Sequence, residues 1–212
     1  MNKLVIWGII TCGLMVGATS ACQSTQESVD NNQPAEESAD NNPSTQESAA
    51  NNQSAEKLVE VKLNDDIDES RGYCLDIAGG RGTKAPIEKG LQAHTCYDYT
   101  GGLLEDQSFD ASLIEQGQFK IPYFDVCMTA SSTEAGANLE LATCDSTDTQ
   151  KFSLESNGNL TLQAAPELCV TVSSTEKKEG RGATPVHVMR PLSLQPCSAD
   201  NVEYQAWSTF SL

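Results

Sequence analysis

The chain has 212 residues and carries 13 Lys and Arg against 30 Asp and Glu, a net charge of −17. No basic stripe exists that could neutralise phosphates, which excludes nucleic acid as a partner. Two histidines, His94 and His187, leave little for acid–base or metal chemistry, while eight cysteines raise the question of redox compartment.

Met1-Asn2-Lys3 precedes an apolar run, residues 4–18, that is short for a membrane span and ends in Thr19-Ser20-Ala21-Cys22. This is the layout of an export signal over residues 1–21, with small residues before the cut. A cysteine directly after them resembles a bacterial lipobox, although Thr19 stands where an aliphatic residue is usual. The resemblance implies acylation of Cys22, with chains such as palmitate, and a membrane anchor. Plain secretion with a free Cys22 thiol is the alternative. By the same resemblance Gln23, where Asp would be a sorting signal, points to the outer membrane of a host that has one.

Residues 22–56 read as a disordered acidic tether. Residues 27–32 (ESVDNN) return as 37–42 (ESADNN) and 47–52 (ESAANN), a period of 10 that suits no packed repeat. After Cys22 the segment has seven acids, no base and Val29 as its one large aliphatic side chain. It cannot bury enough surface to offset its ordering entropy. Fully extended, its 34 residues would reach roughly 110–120 Å. The remaining domain, residues 57–212, holds 12 bases and 23 acids.

With Cys12 in the signal and Cys22 lipidated, six cysteines remain: Cys74, Cys96, Cys127, Cys144, Cys169 and Cys197. An even set in an exported domain reads as disulfides, and none of the spacings is short enough for a zinc knuckle. An internal repeat selects the pairing. Residues 127–134 (CMTASSTE) return as 169–176 (CVTVSSTE), and Gln150-Lys151-Phe152 matches Gln107-Ser108-Phe109 and Gln205-Ala206-Trp207. Gly80-Arg81-Gly82 is echoed by Gly180-Arg181-Gly182. Three units, 74–109, 127–152 and 169–207, each run Cys, Asp or Thr, loop, strand, Cys, Gln-x-aromatic. Pairing within units gives Cys74–Cys96, Cys127–Cys144 and Cys169–Cys197.

Residues 58–63 (LVEVKL) alternate from Val59 onward, and 119–121 and 160–162 are further period-2 pieces. Residues 116–118 (QGQ) and 157–159 (NGN) read as the hairpin turns before them. No stretch holds a 3.6 period. Short strands in three repeats predict an all-β, closed, three-lobed barrel.

Cys-x-Asp, then Cys, then Gln-x-Trp or Gln-x-Phe, three times over, resembles a ricin-type β-trefoil lectin domain, and the resemblance covers residues 57–212. It implies that Phe109, Phe152 and Trp207 fill the barrel core behind Gln107, Gln150 and Gln205. It also implies a shallow sugar pocket in each lobe. There, an Asp two residues after the first Cys accepts hydroxyls, a ring covers the apolar face of the sugar, and polar side chains add hydrogen bonds. In the first lobe the matching residues are Asp76, Gln92, His94, Asp106 and Gln107. His94 is a smaller stacking surface than Trp or Tyr, and Asp106 replaces the usual Asn. The second lobe has Thr129, Glu140, Ala142 and Thr149, and the third Thr171, Ser193, Gln195 and Tyr204. Both lack the carboxylate, so one glycan site, galactose-type or for another neutral sugar, is expected in the first lobe.

The bland readings are that Asp76 caps a turn, that His94 is a strand residue without a ligand, and that His187 is structural. Residues 64–69 (NDDIDE) lack the glycine and spacing of a calcium loop and read as a solvated acidic turn. No nucleophile–base motif is present, so neither an enzyme nor a cofactor or metal is expected. The alternative function is a trefoil that docks an envelope protein partner through the insertion at 177–190, with Lys177, Lys178 and Arg181 as interface candidates.

Overall fold

The computed structural model describes residues 57–101, 104–182 and 184–211. The expectations about the export signal, Cys22 and the tether concern residues 1–56 and lie outside the described residues.

The described chain opens with β1 (Leu58–Leu63), where Val59, Val61 and Leu63 turn inward as their alternation predicts. The first unit continues with β2 (Tyr73–Ile77), β3 (Leu91–Thr95) and β4 (Phe109–Asp110). The second contains α1 (Ala111–Ile114), β5 (Lys120–Ile121), β6 (Val126–Ala130), β7 (Leu139–Thr143) and β8 (Phe152–Leu154). The third contains β9 (Leu160–Leu162), β10 (Ala165–Val172), β11 (Lys178–Glu179), β12 (Val188–Pro196), α2 (Val202–Gln205) and β13 (Trp207–Phe210). Each unit is built on one antiparallel pair, β2–β3, β6–β7 and β10–β12. The first and last strands join, with Leu63 opposite Trp207.

The three disulfides are those the repeat selects: Cys74–Cys96, Cys127–Cys144 and Cys169–Cys197. Each ties together the two strands of its unit. The Gln-x-aromatic tripeptides perform two jobs. Phe109, Phe152 and Trp207 are buried in one core, where Phe119 meets Phe109 and Phe152 edge-on at centroid distances of 6.4 and 6.1 Å. The glutamines make the same three hydrogen bonds in every unit. Gln107, Gln150 and Gln205 accept at Oε1 from the N–H after the second cysteine: Tyr97, Asp145 and Ser198, at 3.0, 2.9 and 2.9 Å. Their Nε2 donates to the carbonyl before that cysteine: Thr95, Thr143 and Pro196. Nε2 donates again to the side chain two residues after the first cysteine: Asp76, Thr129 and Thr171, at 2.9, 3.1 and 3.0 Å. The position that the resemblance marks for sugar contact is therefore held from beneath in all three lobes.

Two local expectations change. Residues 116–118 do not turn a strand hairpin. They close α1, with Gly117 N–H bonded to Ile114 O and Gln118 N–H to Leu113 O, a helix-ending pattern with glycine at φ 84°. The turn at 157–159 does join β8 to β9. The acidic run at 64–69 is not simply solvated. Glu69 pairs with Arg71, and Asp68 accepts from Tyr73, Lys177 and Arg190. Although burial pushes the Asp68 carboxyl up, the hydrogen bonds from Lys177, Tyr73 and Arg190 hold it down at about 2.

Glu60 breaks the alternation of β1, because it too is fully buried, with Oε2 3.5 Å from the sulfur of Cys74. Burial, followed by the charge of Asp98, pushes its carboxyl from 4.5 to about 7. A raised folded-state value means that the stability this group contributes is fully present below pH 4.5 and lost as pH rises through 7. Glu60→Gln should therefore unfold at higher urea than the parent at pH 8, by on the order of 3 kcal/mol, with the gap closing near pH 4. Equal midpoints at both pH values would contradict the burial of a charge here.

Candidate functional site

In the first lobe, β3 presents Gln92 and His94 on the rim of a concavity of about 720 Å³. Its other walls are the loop after β2 and the arm of the third unit that carries β11. The arm reaches the first lobe because β12 is nine residues long. Its C-terminal part pairs with β10, while its N-terminal part pairs with β3, setting Met189 opposite His94.

The five residues expected at the site separate into two layers. Gln92 and His94 line the concavity; Asp76, Asp106 and Gln107 have no exposed surface. Asp76 lies opposite Gln92 across the β2–β3 ladder. Its Oδ1 accepts from Gln92 Nε2 at 2.8 Å and its Oδ2 from Gln107 Nε2 at 2.9 Å. Burial, reinforced by the neighbouring Asp106, pushes the Asp76 carboxyl well above its usual range, against the pull of the two amides. Burial likewise raises Asp106, opposed by the N–H of Gly82. In this arrangement Asp76 orients the amide of Gln92. Each Asp76 oxygen accepts from one of these amides, and the side chain has no exposed surface.

His94 is only 6% exposed and its ring packs against Tyr97 and, edge-on, His187, each at a centroid distance of 5.1 Å. Its Nδ1 lies 2.7 Å from the Thr95 carbonyl, which can only accept, so Nδ1 bears the proton and Nε2 is the acceptor. Burial lowers the imidazole to about 4, so the ring is neutral near pH 7. His187 is the least buried of the three rings. It therefore offers more flat surface than His94, although a histidine between Val186 and Val188 reads locally as structural. Arg81, whose guanidinium sits 5.1 Å over the Tyr97 ring, is a second lining residue not anticipated for the site. The Gly-Arg-Gly echo was the available signal: the arginines of both tripeptides line this one concavity.

The other lobes differ at the decisive position. Thr129 and Thr171 accept from their glutamines as Asp76 does, but each also donates to its own cysteine carbonyl, Cys127 O and Cys169 O. Neither has a second acceptor atom with which to orient a neighbour. In the second lobe Glu140 lies opposite Thr129, while Ala142 offers no ring. In the third, Thr171, Ser193, Gln195 and Tyr204 do share one concavity of about 610 Å³. Gln195 spends its amide there on Ser193 Oγ. Of the insertion residues, Lys177 is paired with Asp68, whereas Lys178 and Arg181 line the first-lobe concavity.

The family description that matches is the ricin-type β-trefoil lectin domain, over residues 63–188 and 116–211. Among solved structures, the C-terminal half of the earthworm R-type lectin, crystallised with GalNAc, is similar at a TM-score of 0.50. It is 12% identical, covering 74% of this chain and 99% of that one. ThreeFoil, a designed threefold-symmetric protein, gives 0.52 at 14% identity over 73% of this chain and 99% of its own. The agglutinin of Abrus precatorius is 15% identical with a TM-score of 0.48, over 75% of this chain. The chain spans about half of that agglutinin, 48% of its length. Among curated protein sequences none matches.

Proposed function

Because this chain belongs to the ricin-type β-trefoil lectin family, a family of carbohydrate-binding modules, we propose that it binds a glycan through the first-lobe pocket. The observation that carries the reading is the Asp76 carboxylate clamped between Gln92 and Gln107, the one carboxylate at this position in the three lobes. With one N–H fixed by Asp76, Gln92 keeps its carbonyl oxygen and second N–H for sugar hydroxyls. The ring of His187, backed by His94 and Tyr97, gives the apolar face a surface on which to lie. Acylation of Cys22 and the acidic tether would place many copies on one membrane, where avidity compensates for a single shallow site.

Amide chemical-shift mapping with a galactose-type oligosaccharide tests the assignment. Shifts should cluster at Arg81, Gln92, His94 and His187, and Gln92→Ala should weaken binding by about tenfold. Shifts clustering instead at Thr171, Ser193 and Tyr204 would move the site to the third lobe. A second reading, in which an envelope protein docks on the arm at 177–190, is favoured by the exposure of Val186, Lys178 and Arg181, all on that arm. Charge swaps at Lys177, Lys178 and Arg181 that left capture of such a partner intact would remove it.

A further inference from the structure

We infer that the first-lobe pocket takes a glycan bearing an anionic substituent, a carboxylate or a sulfate, in preference to a neutral sugar; the inference rests on the first lobe being the sugar site. Four of the 12 bases of residues 57–212 line this one concavity: Arg81, Lys89, Lys178 and Arg181. None of the 23 acids of the same residues lines it. Five other bases, Lys62, Arg71, Lys120, Lys177 and Arg190, stand in ion pairs, whereas among the described residues these four stand in none. All four are exposed.

The two arginines come from the two Gly-Arg-Gly tripeptides, one in the first unit and one on the arm of the third. Their final glycines adopt left-handed backbone, Gly82 at φ 53° and Gly182 at φ 82°, which a side chain would strain. The fold thus brings together two guanidinium groups from distant parts of the chain, in a wall that also holds two amines. A guanidinium binds a carboxylate or sulfate with two parallel hydrogen bonds, and an amine adds a point charge. On a molecule of net charge −17, a cationic concavity is also where an anionic ligand is attracted while the rest of the surface repels it.

Calorimetric titration of the full chain with four probes tests this: an oligogalacturonide, a sulfated galactan oligosaccharide, the neutral galacto-oligosaccharide of equal length, and sodium sulfate alone. One of the two charged glycans should bind at least about tenfold more tightly than the neutral one at low salt, and added NaCl should shrink the preference. Which of the two binds identifies the anion. The double variant Lys178→Ser, Arg181→Ser should bring the charged-to-neutral affinity ratio close to one. Neutral binding as tight as charged binding would overturn the inference and leave the lectin reading standing. Sulfate alone matching the sulfated glycan would overturn it as a glycan preference. Absence of binding to every glycan would overturn both readings.

Discussion

Trp207→Ala is expected to remove about 3–5 kcal/mol of stability, read as a fall in the urea midpoint with the disulfides intact. Trp207 is 1% exposed, lies opposite Leu63 where the first and last strands join, and donates its Nε1–H to the Val170 carbonyl at 2.9 Å. Truncation leaves a cavity in a core shared by all three units and leaves that carbonyl without its donor, a further cost of about 1 kcal/mol or more. For a domain whose total stability is about 5–15 kcal/mol, this is a large share. A loss under about 1 kcal/mol would contradict the placement of this ring in the common core.

The second large effect is expected at Asp76. Asp76→Ala deprives two amides of their acceptor, and glycan binding should fall by at least about tenfold as Gln92 loses its orientation. Asp76→Asn separates this orienting role from plain structural damage. Gln107 cannot turn over, because its Oε1 already accepts the Tyr97 N–H. Asn at position 76 must therefore offer its oxygen to Gln107 and its amide to Gln92. The half-buried Gln92 can reverse to accept that amide, which keeps the hydrogen bonds but presents a different face to the ligand. This variant should unfold within about 1 kcal/mol of the parent yet bind glycan about tenfold more weakly. Binding equal to the parent's would show that the orientation of Gln92 is not what recognises the sugar.

Much of the framework was legible in the linear sequence because it is repeated. The order Cys, Cys, Gln-x-aromatic sets each disulfide, each buried ring and each glutamine clamp, and all three units follow it. The site was legible in part. Gln92 and His94 could be located by register from Cys96, but the full burial of Asp76 between Gln92 and Gln107 is a matter of side-chain contacts that no spacing records. The placement of His187, Arg181 and Lys178 against the first lobe was out of reach for a different reason. They arrive through the pairing of Met189 with His94, a register between strands from different units. Locally, residues 177–190 read as an insertion with a candidate docking surface, with no sign of the lobe they reach. Glu60 shows the same limit: β1 alternates as a strand should, and nothing in that pattern records that an inward glutamate packs beside the Cys74–Cys96 disulfide and meets the backbone of Tyr97 and Asp98.

The function proposed for this lectin-family domain rests on its first lobe being a working glycan site built over Asp76. A glycan array probed with the protein displayed multivalently, beside its Asp76→Ala variant, tests it most directly. Binding to a defined class of glycans should appear with the parent and disappear in the variant while both proteins remain folded and oxidised. Binding that survives the substitution unchanged, or a folded parent that binds no glycan at all, would contradict it.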